Sequence, residues 1–250
     1  MKPNISQIPK AVLFDLDDTL ISFEDVSGHA WRKSCGDFTE DYDLDFSAEE
    51  LFEKVHETRN WYWNDADRHL AGRKDLKKAR REITALALNH FGVSDEKLVN
   101  ELADNFSAYK DTLLCVFPGS IETLSVLKNK GFRLGLVSNG TTGEQRAKLG
   151  RFNLAGFFEV ILIEGEVGYG KPDVRIFEKA LQMLRLRPEE VWMVGDNLVW
   201  DIETPQKLGI FSVWNDYAKK GLPEISSAVP DAIISNVVEL LPLLIPRPNK

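Results

Sequence analysis

Cysteine is nearly missing from this chain. Two of its 250 residues are cysteines, Cys35 and Cys115, and they lie far apart. So sparse a pair excludes a disulfide framework and reads as reduced packing residues of a cytoplasmic protein. Long apolar runs are missing too. No stretch reaches the roughly 20 residues that a membrane-spanning helix needs. The opening MKPNISQIPK has no apolar segment of the kind that marks a secretory leader. Positive charge is in deficit: 31 Lys and Arg stand against 39 Asp and Glu, a formal net charge of -8. That excludes the basic surface on which nonspecific nucleic-acid binding depends. The sequence also lacks internal repeats and low-complexity segments. These absences together predict a soluble cytoplasmic protein without nucleic-acid or membrane partners. Monomer and homodimer are equally compatible with them.

What is present is apolar residue enough for a substantial core, 43% of the chain. The length suits one large domain or a core carrying an inserted second one. The stretch Ala11 to Leu20, AVLFDLDDTL, organises the rest. Val12, Leu13 and Phe14 read as a strand buried on both faces, because nothing polar interrupts them. Asp15, Asp17 and Asp18 follow at once. Open α/β sheets place their chemistry in the crevice at the C-terminal ends of their strands. Carboxylates crowded there repel one another and are costly unless a cation compensates. A divalent metal with oxygen ligands meets that need, and magnesium is the first candidate, since it takes one or two carboxylates plus substrate phosphate. Taken alone, the same cluster is also an ordinary acidic turn.

After Leu20 the texture changes. From Ser22 to about Leu114 there is no second buried strand, and helical periodicity takes over: Leu51, Phe52 and Val55; Ile83, Leu86 and Ala87; Leu98, Leu102 and Phe106. Ser47 with Glu50 has the form of a capping box, and Ser94 with Lys97 that of a weaker N-cap. The segment predicts three to five helices. Beyond Phe117-Pro118-Gly119 strands and helices alternate. A helix over Ser120 to Lys130 is stopped by Gly131, and strand Arg133 to Val137 ends in Ser138-Asn139-Gly140. A short helix follows over Glu144 to Leu149. Strand Val160 to Ile163 runs into a glycine-rich loop, Gly165 to Gly170, and Lys171-Pro172 open a helix to about Leu186. Strand Val191 to Val194 ends in Gly195-Asp196, and a helix is expected over Ile202 to Leu208. Two short strands, Phe211 to Val213 and Ala232 to Ile234, precede a last helix over Asn236 to Leu244. Such alternation predicts a parallel sheet with right-handed crossovers. The glycines at 165, 168 and 170 are out of order for a dinucleotide fingerprint.

Each strand end has an unremarkable reading when taken singly. Ser138-Asn139-Gly140 is then a turn, Lys171-Pro172 a helix start, Asp196 an N-cap and Asp201 a surface acid. Together, and in order, FDLDDTL (Phe14 to Leu20), LVSNG (Leu136 to Gly140), Lys171 in YGKPD and GDNLVWD (Gly195 to Asp201) resemble the four motifs of the haloacid dehalogenase superfamily, in its phosphatase branch. The match covers about two thirds of the chain. It implies a doubly wound, mostly parallel Rossmann-like α/β core over residues 1–21 and 115–250, with an inserted α-helical cap domain over 22–114 of the family's first cap class.

The resemblance also implies roles, and the chemistry agrees. Asp15 is expected as the nucleophile that forms an aspartyl-phosphate. Asp17 is expected to protonate the leaving alcohol and then deprotonate water; two residues on, a one-turn swerve can aim both carboxyls at one phosphate. In the family the backbone carbonyl at the Asp17 position is a metal ligand, so Asp15, Asp17 and Asp196 form the expected Mg2+ set, with Asp201 bracing it through a bound water or from behind. Ser138 Oγ and the Asn139 N–H are expected to hold phosphoryl oxygens, with Lys171 offsetting the charge of phosphate and nucleophile. A dication, Lys171 and one proton on Asp17 bring the four aspartates near neutrality.

Asp17 also separates branches of the family, since halide leaves without a proton and dehalogenases lack an acid there. The expected activity is therefore Mg2+-dependent hydrolysis of a small-molecule phosphate monoester. A phosphomutase or phosphonate hydrolase on the same scaffold is the alternative, and a non-catalytic binding protein a more distant one. In the insert, Trp31, Trp61, Tyr62 and Trp63 read as core aromatics before they read as a substrate platform. Arg32, Arg68, His69 and Arg73 read as solvated before they read as anion ligands.

Overall fold

In the computed structural model, which describes residues 8–225 and 228–245, the apolar run ahead of the first aspartate is strand β1 (Ala11–Phe14), wholly buried. The chain continues through β2 (Ile21–Ser22) into five helices, α1 (Glu24–Asp41), α2 (Ala48–Asn64), α3 (Ala66–Gly72), α4 (Leu76–His90) and α5 (Glu96–Leu113). It returns through β3 (Cys115–Val116), α6 (Ser120–Asn129), β4 (Arg133–Ser138), α7 (Thr142–Arg151), β5 (Val160–Ile163), α8 (Glu164–Val167) and α9 (Val174–Leu184). Then come β6 (Val191–Gly195), α10 (Thr204–Gln206), β7 (Phe211–Asn215), β8 (Ala232–Ile234) and α11 (Leu240–Leu244). The chain divides into two compact units, Met1–Ser22 with Val116–Lys250, and Phe23–Cys115.

The first unit is built on one parallel sheet of order β5-β4-β1-β6-β7-β8. β1 is central, with Phe14 in register with Leu136 of β4 and Val194 of β6. Because both faces of a parallel sheet are covered by crossover helices, its central strands are unbroken apolar runs. Leu13, Val137 and Met193 lie in one buried cluster with Ile176, Phe177 and Ala180 of α9, whose apolar residues recur at helical spacing. All six strands run the same way, so β1, β4, β5 and β6 present their C-terminal ends along one edge.

The second unit is a helical cluster. Trp31 of α1 stacks on Phe106 of α5, with ring centroids 3.9 Å apart and an interplanar angle of 10°. Phe38, Leu51 and Leu102 are buried around the same core. Ser47 caps α2 in a reciprocal capping box with Glu50. α5, in contrast, is capped by Asp95, whose carboxylate accepts the N–H groups of Lys97 and Leu98. Ser94 lies one residue ahead of the cap, and the Asp95 carboxylate also meets the helix dipole favourably. Trp31 and Tyr62 are buried, whereas Trp61 is 53% exposed with the Arg68 guanidinium 3.7 Å above its ring.

Several element limits differ from the expectation. The glycine-rich loop begins with the short helix α8. The helix expected from Lys171 starts only at Val174, because Asp173 caps it by accepting the Arg175 N–H while Lys171 is bonded elsewhere. α7 is longer than expected at both ends, its start fixed by Thr141 accepting the Glu144 N–H. The helical segment after β6 begins at Leu198 as a π-helical turn to Glu203, capped by Asn197. The last helix is a 3-10 turn, Val237–Glu239, running into α11. The strands Ile21–Ser22 and Cys115–Val116, two residues each, are too short for a sequence pattern to mark. Most of the expected polar lead and the tail from Pro246 lie outside the described residues. Cys35 and Cys115 are both free thiols, and burial pushes the Cys35 thiol up to about 12. Among the described residues no helix is long and apolar enough to cross a membrane.

Candidate active site

Asp15 is the first residue past β1. Its N–H continues the sheet ladder by donating to the Val194 carbonyl at 2.9 Å. The chain then turns sharply. Leu20 and Ile21 both donate to the Leu16 carbonyl, Asp18 donates to Ile21 at 2.7 Å, and Asp18 takes the left-handed conformation at φ 56°. Asn215, at the end of β7, fixes this turn by donating to the Asp18 carbonyl at 3.2 Å.

On one flank, β4 ends at Ser138. The Asn139 carboxamide makes a two-way clamp with the backbone of Lys171: its Nδ2 donates to the Lys171 carbonyl and its Oδ1 accepts the Lys171 N–H, each at 2.7 Å. Gly170 is required beside this clamp, since a Cβ there would stand 2.5 Å from Asn139 Oδ1. Held in this way, Lys171 is 1% exposed. Its Nζ donates to Asp15 Oδ1 at 2.7 Å and to Asp201 Oδ1 at 2.6 Å. Burial opposes the Lys171 charge, but Asp15 and Asp201 outweigh it and hold the ammonium above its ordinary value.

On the other flank, β6 ends at Gly195-Asp196. Asp201 reaches back from the π-helical turn, and its Oδ2 accepts the Asn197 N–H at 3.1 Å. A Cβ on residue 195 would lie 2.3 Å from Asp201 Cγ, so only glycine admits this approach. The Asp196 carbonyl is fixed by the Trp214 indole N–H at 2.7 Å. One carboxylate oxygen each from Asp15, Asp196 and Asp201 lie within 4.8 Å of one another.

The electrostatics follow from this crowding. Burial, opposed by Lys171, pushes the Asp15 carboxyl up to about 7. Burial, with Asp15 and Asp201 beside it, drives Asp196 well above the usual carboxylate range. Three converging hard oxygen donors, with one ammonium between them, suit a divalent cation, which removes the like-charge penalty. The residues fit such an ion.

Asp17 is held apart from these three. Its carboxylate accepts two bonds from Lys148 Nζ, at 2.7 and 2.8 Å, and one from Gln145 Nε2 at 2.9 Å. Gln145 Nε2 also faces Ser138 Oγ at 2.6 Å and the Asn139 carbonyl at 2.9 Å. The structure thus gathers Asp15, Asp196, Asp201 and Lys171 in one cluster. Ser138, Asn139 and Asp17 meet around Gln145. Asp201 stands among the carboxylates, while also bracing the turn as a supporting residue would. Gln145 and Lys148 were absent from the sequence-based candidates. Their signal was a spacing of three on a helix capped by Thr141, which puts both on one face.

The geometry agrees with comparison to known proteins. A family model of haloacid dehalogenase-like hydrolases matches residues 9–209. A glyceraldehyde 3-phosphate phosphatase of Methanothermobacter thermautotrophicus is 34% identical over 206 residues, covering 82% of this chain and 84% of its own. A phosphoserine phosphatase of Thermus thermophilus is 36% identical over 162 residues, covering 64% of this chain and 63% of its own. Among solved structures, the HAD-hydrolase YfnB of Bacillus subtilis shares the fold with a TM-score of 0.75, at 21% identity over 96% of this chain and all of its own. With the strand-end constellation and these matches agreeing, the chain belongs to the haloacid dehalogenase-like hydrolase family.

Proposed function

We propose that this protein is a Mg2+-dependent phosphatase of small phosphate monoesters that works through an aspartyl-phosphate on Asp15. The observation that carries the reading is the placement of two carboxylates two residues apart in different surroundings. Asp15 is buried against Lys171, and Asp17 is partly exposed against Lys148 and Gln145. Lys171 offsets the charge of a buried nucleophile, and the partly exposed Asp17 can exchange a proton with leaving group and water. The names of the relatives, both phosphatases of small phosphate esters, support the same class.

In the proposed reaction an Asp15 oxygen attacks phosphorus. As that P–O bond forms, the ester P–O bond breaks, and the proton on Asp17 moves to the leaving alkoxide. Water then attacks the acyl-phosphate and gives its proton to Asp17; the bond from phosphorus to Asp15 breaks, and inorganic phosphate leaves. Ser138 Oγ and the Asn139 N–H orient the phosphoryl oxygens, and Lys171 keeps Asp15 in place and offsets its charge. Asp15, Asp196 and Asp201 would hold the divalent ion, which supplies positive charge against the phosphoryl oxygens. The Phe23–Cys115 unit is, in this proposal, the family's helical cap, with the choice among substrates as its task.

The test is a panel of phosphate monoesters with magnesium, headed by glyceraldehyde 3-phosphate and phosphoserine. Release of inorganic phosphate is expected, together with its loss in Asp15→Asn. Turnover retained by that folded variant would overturn the nucleophile assignment. Isomerised sugar phosphate in place of free phosphate would favour the mutase.

A further inference from the structure

Lys148 is 7% exposed and comes from α7, far in sequence from the aspartate it binds. An ionised carboxylate offers about four lone-pair positions on its two oxygens. Lys148 Nζ takes one on Oδ1 and one on Oδ2 of Asp17, and Gln145 Nε2 takes a second on Oδ2. Among the described residues nothing takes the remaining position, on Oδ1. We propose that Lys148 and Gln145 are positioning residues for proton transfer: they lock the Asp17 carboxyl so that its proton is carried on Oδ1 alone, in one direction.

The inference rests on the reading of Asp17 as the proton carrier. Neither helper touches the reacting atoms in this scheme. They act by removing alternatives, since a carboxyl free to rotate presents its proton in the right place only part of the time. Gln145 adds a second constraint. The same amide nitrogen approaches Ser138 Oγ and the Asn139 carbonyl, at 2.6 and 2.9 Å. The proton carrier is therefore aligned against the loop proposed to orient the phosphoryl oxygens. Both links lie within the unit that carries the sheet.

The experiment compares two esters of similar shape, p-nitrophenyl phosphate and benzyl phosphate. Nitrophenolate leaves as an anion, whereas benzyl alkoxide needs a proton. kcat/KM reports steps up to departure of the leaving group, so the ratio between the esters reads proton donation. Asp17→Asn, which serves as reference, is expected to lose on the order of a hundredfold or more on benzyl phosphate and far less on the nitrophenyl ester. Lys148→Met is expected to lose at least about tenfold on benzyl phosphate with less than about threefold on the nitrophenyl ester, and Lys148→Arg to recover part of the loss. Gln145→Leu is expected to show the same bias. Equal losses on both esters in Lys148→Met would overturn the inference, because a merely structural role lowers both alike. An Asp17→Asn variant without bias would instead refute the reading of Asp17 on which it rests.

Discussion

Lys171 Nζ lies 2.7 Å from Asp15 Oδ1, although 156 residues separate the two in the chain. The contact exists because β1 and the loop after β5 end on the same edge of one parallel sheet, and because Asn139 pins the Lys171 backbone. Removing one partner of a buried pair leaves an uncompensated charge. Lys171→Met should therefore lose stability by about 3 kcal/mol along with most of its turnover. Urea unfolding at neutral pH and phosphate release check the two effects. A variant as stable and active as the parent would show that the ammonium is dispensable.

Stability without metal should depend on pH through Asp15. Its carboxyl, ordinarily near 3.8, is pushed up to about 7 by burial. The folded state then binds more protons than the unfolded state between those values, so stability falls as pH rises through that window and levels off above it. The difference in unfolding midpoint between the parent and Asp15→Asn, measured in EDTA from pH 4 to pH 8, isolates this share. A difference that does not move with pH would contradict the burial of the group.

Magnesium should raise the melting temperature, because an ion binding only the folded state stabilises it by mass action. The effect is expected at millimolar concentration and should shrink in Asp196→Asn. An unchanged melting temperature would count against the carboxylate cluster as a metal site.

Gly195→Ala should disable that cluster without touching any charged group. The added methyl would stand 2.3 Å from Asp201 Cγ, so Asp201 must leave its place beside Lys171 and the Asn197 N–H. Loss of both turnover and the magnesium-induced shift is expected, measured side by side. Full retention of either would mean that Asp201 can move without consequence.

In the helical unit, Ser47→Ala should cost about 1 kcal/mol, the typical worth of an N-cap, since Ser47 and Glu50 satisfy each other's end of α2. Denaturant unfolding checks the size. Asp95→Ala should show a similar loss, whereas Ser94→Ala should show almost none, because Asp95 holds the cap of α5.

The central strand could be read directly, since an unbroken apolar run is the pattern of a strand buried on both faces; the aspartates after it also fit an ordinary acidic turn. Ser138, Asn139, Lys171, Asp196 and Asp201 each have an ordinary reading taken singly, and only the four motifs in order mark them as one set. The clamp on Asp17 escapes such reading. Gln145 and Lys148 sit in a polar helix, where amphipathic patterning does not separate an inward lysine from a solvated one; only the fold shows Lys148 to be buried. Lys171-Pro172 resembles a helix opening, yet tertiary bonds to Asn139 hold Lys171 and α9 starts only at Val174. Ser94 and Asp95 are adjacent side chains both capable of capping α5, and the fold uses Asp95.

The central strand has an awkward place in time. Translation produces Ala11–Phe14 well before its hydrogen-bonding neighbours, which begin at Arg133 and Val191. The stickiest segment of the core thus waits with both edges open while the whole helical unit is synthesised. A nascent chain arrested before residue 133 carries this strand with no sheet to join, and unpaired strand edges are templates for aggregation.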